Sequence, residues 1–201
     1  MMAAREVPVG VDGSGREPGI GTADQKRAGG RGMARKSAKV DKIDLKILGE
    51  LQERGRSSNL ELAGKVGLSP SPCHNRHRGL EKSGIIRGYR ADIDLAKLTD
   101  YVEILSFVTL HKHGRTQQGA FEKLIEKTPQ AIACYQISGN FDYIVHFVCK
   151  AVSDYVDLHH RLIEEEPNIA SVTTNVIMSE TKKFAGYPLK ELIEPAETKA
   201  D

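Results

Sequence analysis

The segment 69–82 concentrates side chains whose chemistry suits contact with nucleic acid. If it lies in a helix over 70–83, Cys73, His77 and Leu80 fall on one side of that helix. Hydroxyl, imidazole, amide and cationic groups then face outward on Ser71, His74, Asn75, Arg78 and Lys82. Such groups bond phosphate oxygens and base edges. The spacing therefore predicts a surface that contacts nucleic acid.

Two short helices joined by a tight turn are predicted to carry this surface. Ser58 followed three residues later by Glu61 forms a capping box, so the first helix should run over 59–66. Gly67 should end it. Its apolar positions are expected to be Leu60, Ala63 and Val66.

The second helix and an upstream third helix follow from similar signals. Ser69 offers an N-cap, and Pro70 in the first turn has no N–H to leave unpaired. Upstream, Asp41 can cap a helix with one apolar stripe, made of Ile43, Ile47, Leu48 and Leu51. Three helices in this order predict a helix-turn-helix, although a helical hairpin with a solvated basic face fits the same residues.

The segment 85–93 after these helices is short, β-prone and carries Arg87 and Arg90. We expect it to form a wing or a connecting strand.

The second half of the chain alternates between strand and helix patterns. Gly139-Asn140 is a strong hairpin signal between two predicted strands. Ser153 is expected to cap the later helix, and Pro167 to end it. The predicted order is βαββαβ, with strands at 102–111, 131–138, 141–150 and 169–178 and a first helix at 117–127. This order predicts an α+β, ferredoxin-like domain.

Two motifs in this order resemble the Lrp/AsnC family of transcription regulators. They are KIDLKILGELQERGRSSNLELAGKVGLSPSPCHNRHRGLEKSGIIRGYRADID and QISGNFDYIVHFV, within residues 40–177. The resemblance implies an N-terminal winged helix-turn-helix and a C-terminal ferredoxin-like effector domain. It also implies dimers or larger homo-oligomers whose binding to double-stranded DNA responds to an amino acid or related metabolite. The expected DNA-binding residues are Ser69, Ser71, His74, Asn75, Arg76, Arg78, Lys82, Arg87 and Arg90.

The turn over 138–143 is the expected effector site. In the family this turn lies beside the effector at a subunit interface. Glycine allows close approach of backbone to a ligand, and carboxylate and amide groups suit an α-ammonium. The candidate residues are Ser138, Gly139, Asn140, Phe141, Asp142 and Tyr143. A plain hairpin turn with a buried aromatic side chain remains the alternative.

Three residues depart from the family pattern. His77 stands where Val or Ile is usual, and a buried imidazole without a partner costs about 1–3 kcal/mol. Gly79 replaces a common Arg and costs roughly 1 kcal/mol of helix propensity. Asn140 replaces the usual Asp and removes a charge. The expected consequence of the first two is a DNA-binding domain of lower stability or lower affinity for DNA, whereas the effect of Asn140 on effector choice or affinity stays open.

The distribution of charge also separates the two predicted domains. The first 90 residues carry 18 Lys and Arg against 10 Asp and Glu, whereas residues 91–201 carry 11 against 17. A basic part joined to an acidic part is expected when one domain approaches phosphate. The expected boundaries are a DNA-binding domain at 40–90, a linker at 91–100, an effector and oligomerisation domain at 101–180 and a tail at 181–201.

Residues 1–39 differ in kind. Eight of the 19 glycines lie in 10–32 and apolar residues are sparse, so we expect a disordered, basic, glycine-rich extension. Met33 would be a natural start for the family. The first 32 residues are either an upstream extension of the start site or a cloning remnant, or else an arm that adds phosphate contacts.

Other classes of protein find less support. Cys73, Cys134 and Cys149 show no pairing rhythm, and no apolar run is long enough for a membrane span, so a cytoplasmic protein is expected. Histidine pairs lack a third metal ligand at a recognised spacing, and no cofactor or enzymatic motif is present. The remaining alternatives are a DNA-architectural protein with little effector control and a metabolite-sensing oligomer with weakened DNA binding.

Overall fold

The computed structural model describes residues 40–193. The expected disorder of 1–39 and the last residues of the predicted tail lie outside this range. The helical elements are α1 (Lys42–Glu53), α2 (Asn59–Val66), α3 (Pro70–Lys82), a short 3-10 helix (Leu95–Lys97), α4 (Arg115–Glu126), α5 (Val152–Glu165) and α6 (Leu189–Ile193). The strands are β1 (Val102–Leu110), β2 (Ala131–Gln136), β3 (Tyr143–Cys149) and β4 (Ile169–Val176). No described helix is long and apolar enough to cross a membrane.

Capping groups set the starts of the first two helices. The Asp41 side chain accepts from the backbone N–H groups of Ile43 and Asp44, each at 2.9 Å. Ser58 and Glu61 form the predicted reciprocal capping box at α2. Hydrogen bonding from these two N–H-rich turns lowers the pKa of both Asp41 and Glu61. Gly67 ends α2 in the left-handed conformation, as predicted.

The first three helices enclose a core of their own. Its fully buried members are Ile47, Leu62, Ala63, Val66, Cys73 and Leu80, with Ile43, Leu48 and Leu51 packed at its edge. The prediction that Leu60 belongs to this core is wrong, since its side chain is 71% exposed. Leu62, which lies next to Ala63 and four residues before Val66, faces inward instead. Ala63 and Val66 are buried as predicted, so the buried face of α2 differs from the predicted one only in having Leu62 in place of Leu60.

Two alanine substitutions in α2 test whether Leu62 or Leu60 belongs to the core. Leu62→Ala should lower the free energy of unfolding by about 2–5 kcal/mol, because it leaves a cavity in the small core. Leu60→Ala should change it by less than about 0.5 kcal/mol. Chemical denaturation followed by far-ultraviolet circular dichroism compares the two. Equal losses in both variants would contradict the packing described.

The segment 85–93 does not form the predicted connecting strand. Backbone N–H groups of Ile85 and Ile86 both donate to the Leu80 carbonyl at 3.1 Å, which turns the chain back after α3. Beyond them the described backbone is neither helix nor strand until the 3-10 helix. No strand of the sheet pairs with this segment, so its β-prone residues have no ladder to join.

The second half forms one antiparallel sheet in the order β2-β3-β1-β4. Together with α4 and α5 this is the predicted ferredoxin-like βαββαβ arrangement. In β1 and β3 every second side chain is buried, on the face shared by Ile104, Val108, Val145 and Phe147. These side chains pack with Phe121, Tyr155 and Leu158 of the two helices. The opposite face of the sheet carries no helix within the described residues.

The start of α5 differs from the prediction. Ala151, and not Ser153, occupies the N-cap position, and no side chain caps the helix. Farther along α5, the Tyr155 hydroxyl lies 2.7 Å from Ser106 Oγ and 2.9 Å from Thr174 Oγ1. These hydrogen bonds give the Ser106 hydroxyl, which is 1% exposed, a partner in the core. They also join α5 to β1 and β4.

The C-terminal segment contacts the first helix. The Gln52 side chain accepts from the Tyr187 N–H at 2.7 Å and donates to the Tyr187 carbonyl at 3.2 Å. Gly186 has a φ of 118°, and a Cβ at this position would lie 3.0 Å from the Gln52 amide. The positive φ favours glycine here, and a Cβ would push the Gln52 side chain aside by a few tenths of an ångström. Sequence analysis gave no sign of this contact or of α6.

Candidate nucleic-acid interface and effector turn

The outer side of α3 is exposed and mostly unengaged. Cys73 and Leu80 anchor the helix in the core, at 0% and 5% exposure. This burial turns the opposite side of α3 toward solvent. The exposed candidate residues on or beside it are Ser69, Ser71, His74, Asn75, Arg78, Lys82, Arg87 and Arg90.

The start of α3 leaves donors available. Ser69 has N-cap geometry, but its hydroxyl makes no capping hydrogen bond, and Pro70 follows as predicted. Pro70 and Pro72 carry no N–H and the Cys73 N–H donates to the Ser69 carbonyl, so the donors here are the Ser71 N–H and the Ser69 and Ser71 hydroxyls, which suit an anion such as phosphate. The Asn59 amide, which sequence analysis did not select, donates to the Pro70 carbonyl at 2.9 Å and so fixes the turn between α2 and α3.

Arg76 is placed differently from the expected DNA-binding role. Its Nη1 donates to Asp41 Oδ2 at 2.6 Å and to Asp44 Oδ1 at 2.9 Å. These carboxylates raise the pKa of Arg76 further above its ordinary value. The guanidinium is half-buried and joins α3 to the start of α1. Arg76 thus links α3 to α1, and its expected contact with DNA stays a prediction.

His77 has partners, which removes the expected penalty for a buried, unpaired imidazole. Its Nε2 lies 2.5 Å from the Tyr89 hydroxyl and 3.7 Å from Glu81 Oε1. The two rings meet edge to face with centroids 6.2 Å apart. His77, which stands where the family usually has Val or Ile, is therefore accommodated by its polar contact with Tyr89.

The turn between β2 and β3 places the candidate effector residues at one end of the sheet. Gly139 has a φ of 117°, a conformation that favours glycine, and no atom lies within 4 Å of a Cβ built there. Ser138, Gly139 and Asn140 are exposed, and Phe141 and Asp142 are half-buried. Phe141 packs on Phe107 of β1 with ring centroids 5.2 Å apart.

Asp142 connects this turn to the end of β1. Its Oδ2 accepts from the Leu110 N–H at 2.8 Å, and its Oδ1 lies 3.0 Å from His113 Nδ1. These two contacts hold the carboxylate in place, and each oxygen keeps a lone pair for a further donor. His113 was missed by sequence analysis, since no local motif links it to a turn almost 30 residues later.

Tyr143 is the one predicted effector residue whose side chain lies in the core. It is 1% exposed, packs on Phe121 at 4.7 Å between ring centroids, and donates from its hydroxyl to Glu122 at 3.2 Å. Burial and the Glu122 charge raise the pKa of Tyr143, so the hydroxyl stays protonated. Tyr143 supports the turn from below, and direct ligand contact by its ring is not possible in this arrangement.

The sheet face opposite α4 and α5, here called the open face, is mainly apolar over β1 to β3 and polar over β4, where Asn175, Thr173 and Ser171 pair with Leu105, Phe107 and Thr109. Leu105 and Phe107 of β1 alternate with Ile144 and Val148 of β3, and Tyr135 of β2 is 60% exposed beside them. Near the centre, His146 Nε2 lies 2.8 Å from Glu103 Oε2. An apolar surface with a small polar pair suits a protein contact.

The histidine pairs do not gather a third ligand. Within residues 40–193, no group of three or more His, Cys, Asp or Glu side chains has the arrangement of a metal site. His77 and His113 instead contact Tyr89 and Asp142.

A three-helix unit with an outward basic helix, followed by a ferredoxin-like domain, defines a DNA-binding regulator with a separate ligand domain. Two family models agree. One, described as winged helix-turn-helix DNA-binding, matches residues 40–87, and the other, described as the Lrp/AsnC ligand binding domain, matches residues 103–186. The chain belongs to the Lrp/AsnC family of transcription regulators, which confirms the predicted resemblance and fold class.

Curated relatives match along most of their length. Transcriptional regulator AzlB of Bacillus subtilis is 34% identical over 153 residues, covering 76% of this chain and 98% of AzlB. The leucine-responsive regulatory protein of Escherichia coli K12 is 35% identical over 144 residues, covering 72% of this chain and 88% of the relative. Both relatives are regulators by name.

Solved structures show the same architecture. A transcriptional regulator of Neisseria meningitidis in complex with L-Met matches with a TM-score of 0.71 and 27% identity, over 76% of this chain and 99% of that chain. An AsnC family regulator of Agrobacterium tumefaciens matches with a TM-score of 0.71 and 29% identity, with the same coverage.

Proposed function

We propose that α3 reads double-stranded DNA and that this reading responds to an amino acid bound beside the turn over 138–143. The observation that carries the proposal is the outer side of α3, where cationic and amide side chains are exposed while Cys73 and Leu80 hold the helix in the core. Because its inner side stays in the core, α3 can place its outer side in a major groove while the domain remains folded.

Each exposed residue has a role suited to its chemistry. Arg78, Lys82, Arg87 and Arg90 would contact phosphates and supply most of the affinity. His74 and Asn75 would lie closest to base edges, where an amide can bond adenine in a bidentate manner. Ser69 and Ser71 would bind phosphate at the helix start.

An amino acid is the effector that the turn suits best. Asp142 offers a fixed carboxylate for an α-ammonium, and the exposed backbone at Gly139 offers groups for the opposite end of a zwitterion. Names of similar proteins point the same way, since one includes leucine and another an L-Met complex. Apolar neighbours such as Phe141 and Phe107 would select the side chain.

A homodimer formed through the open face completes the proposal. One chain presents one reading helix, whereas two half-sites need two helices about 34 Å, or a multiple of it, apart. The apolar residues of the open face supply the surface that a second copy would cover.

Paired substitutions in α3 test the DNA-binding role. Arg78→Ala should weaken binding to operator and to unrelated DNA alike and should lower the salt dependence by about one phosphate contact. Asn75→Ala should cost about 1–3 kcal/mol on the operator alone, since it removes base recognition. Fluorescence anisotropy at several salt concentrations measures both effects. Exposed Glu164→Ala on α5 serves as the control, and unchanged operator binding in both α3 variants would overturn the assignment.

A further inference from the structure

The polar contact at His77 links α3 to the segment that leaves the domain. The edge-to-face His77 and Tyr89 rings bring Nε2 to the tyrosine hydroxyl, and that hydroxyl donates onward to Glu81 Oε1 at 3.1 Å. Because the Tyr89 hydrogen is given to Glu81, the Tyr89 oxygen accepts and the His77 Nε2–H donates to it. The three groups thus form a directed chain of hydrogen bonds from His77 through Tyr89 to Glu81.

Tyr89 stays a donor over the ordinary pH range. Partial burial, together with the hydrogen bond to Glu81 and its charge, raises the pKa of Tyr89 to about 12. The ring also lies beside the turn after α1, where a Cβ built on Gly55 would meet it at 3.9 Å. Tyr89 is 47% exposed, so its hydrogen bonds to His77 and Glu81 are its main described restraint.

Little else within the described residues restrains this segment. Ile85 and Ile86 pack at the edge of the core, but no backbone hydrogen bond joins residues 87–93 to the rest of the described chain. Arg87 and Arg90 are exposed and lie two residues before and one residue after Tyr89. Their position relative to α3 thus depends on how Tyr89 is held.

We propose that His77 and Tyr89 are positioning residues that hold Arg87 and Arg90 beside the outer side of α3, so that both arginines reach the DNA backbone. The inference rests on the proposed DNA binding and adds how a non-helical segment shares in it. A valine or isoleucine at position 77 offers no hydrogen bond, so this chain fastens the segment by a contact that the usual family residue does not make.

A double-mutant cycle in the full chain tests the proposal. Tyr89→Phe removes both hydrogen bonds and keeps the ring, and it should weaken operator binding about threefold to tenfold. In a background with Arg87→Ala and Arg90→Ala, the same change should weaken binding less than about twofold, because no arginines remain to be positioned. Equal losses in the two backgrounds would overturn the proposal, since a merely structural role acts regardless of the arginines.

Conservative rescue at position 77 gives a second readout. His77→Gln retains a donor for Tyr89 and should bind the operator within about twofold of wild type, whereas His77→Val should match Tyr89→Phe. Melting temperatures measured in parallel identify variants that fail to fold. If a position 77 variant does not fold, the double-mutant cycle with Tyr89→Phe alone tests the positioning role. Tight binding by His77→Val would overturn the positioning role. Failure of the wild type to bind any duplex would instead overturn the proposed function itself.

Discussion

Phe107→Asp should convert the proposed dimer to a monomer at micromolar concentration. Phe107 lies in the middle of β1 on the open face, opposite Ile144 and in contact with Phe141. A carboxylate at this position would have to lose its water against an apolar partner surface, which costs far more than the lost contacts. Light scattering after size-exclusion chromatography measures the mass directly.

The same substitution should weaken operator binding by about 10²- to 10⁴-fold. Two linked reading helices engage two half-sites as one event, and separating the chains removes that advantage. Val156→Asp is the matched control, because Val156 is an exposed apolar residue of α5 on the other side of the sheet. A Phe107→Asp protein that remains dimeric with full affinity would show that the open face is not the subunit interface.

Asp142→Asn should abolish the response to the effector while leaving the fold intact. An asparagine oxygen still accepts from the Leu110 N–H, but the charge that attracts an α-ammonium is gone. Losing a hydrogen bond to a charged group costs about 1.5–3 kcal/mol, or roughly 10- to 150-fold in affinity. At 100 times its dissociation constant, an effector should stabilise the wild type by about 2.7 kcal/mol, and the variant far less.

Thermal denaturation with each of the 20 amino acids identifies the effector and provides the comparison. His113→Gln is the control, since it removes the neighbour of Asp142 and leaves the carboxylate in place. Gly139→Thr is less suitable, because a threonine at a φ of 117° is strained whatever the ligand does. If no amino acid stabilises the wild type, the effector belongs to another class and the architectural alternative gains support.

Local sequence signals predicted helices best where a single residue sets the helix end. Asp41, Ser58 and Gly67 each bond or turn the backbone within a few residues, so α1 and α2 were located closely. Alternation in β1 and β3 likewise identified the strands and their βαββαβ order. Ser153 failed as a cap because α5 begins two residues earlier, where packing outweighs a favourable hydroxyl.

Contacts between distant residues could not be predicted in this way. Arg76 appeared equivalent to Arg78 in sequence, yet two carboxylates more than 30 residues away engage it. Tyr143 belongs to a suggestive motif, but the strand alternation turns its ring into the core. His113 and Tyr89 gain their roles from partners that only the folded chain brings near.

The contact between Gln52 and Tyr187 links the C-terminal segment back to α1. The helices at the start and the sheet at the end are joined covalently through residues 91–100, and a second time by hydrogen bonds spanning 135 positions. Such exposed hydrogen bonds contribute only about 0.5–1.5 kcal/mol each, so the second link opens easily. With this contact formed, a shift of the segment that leads to Tyr187 would reach α1 through two hydrogen bonds as well as through residues 91–100.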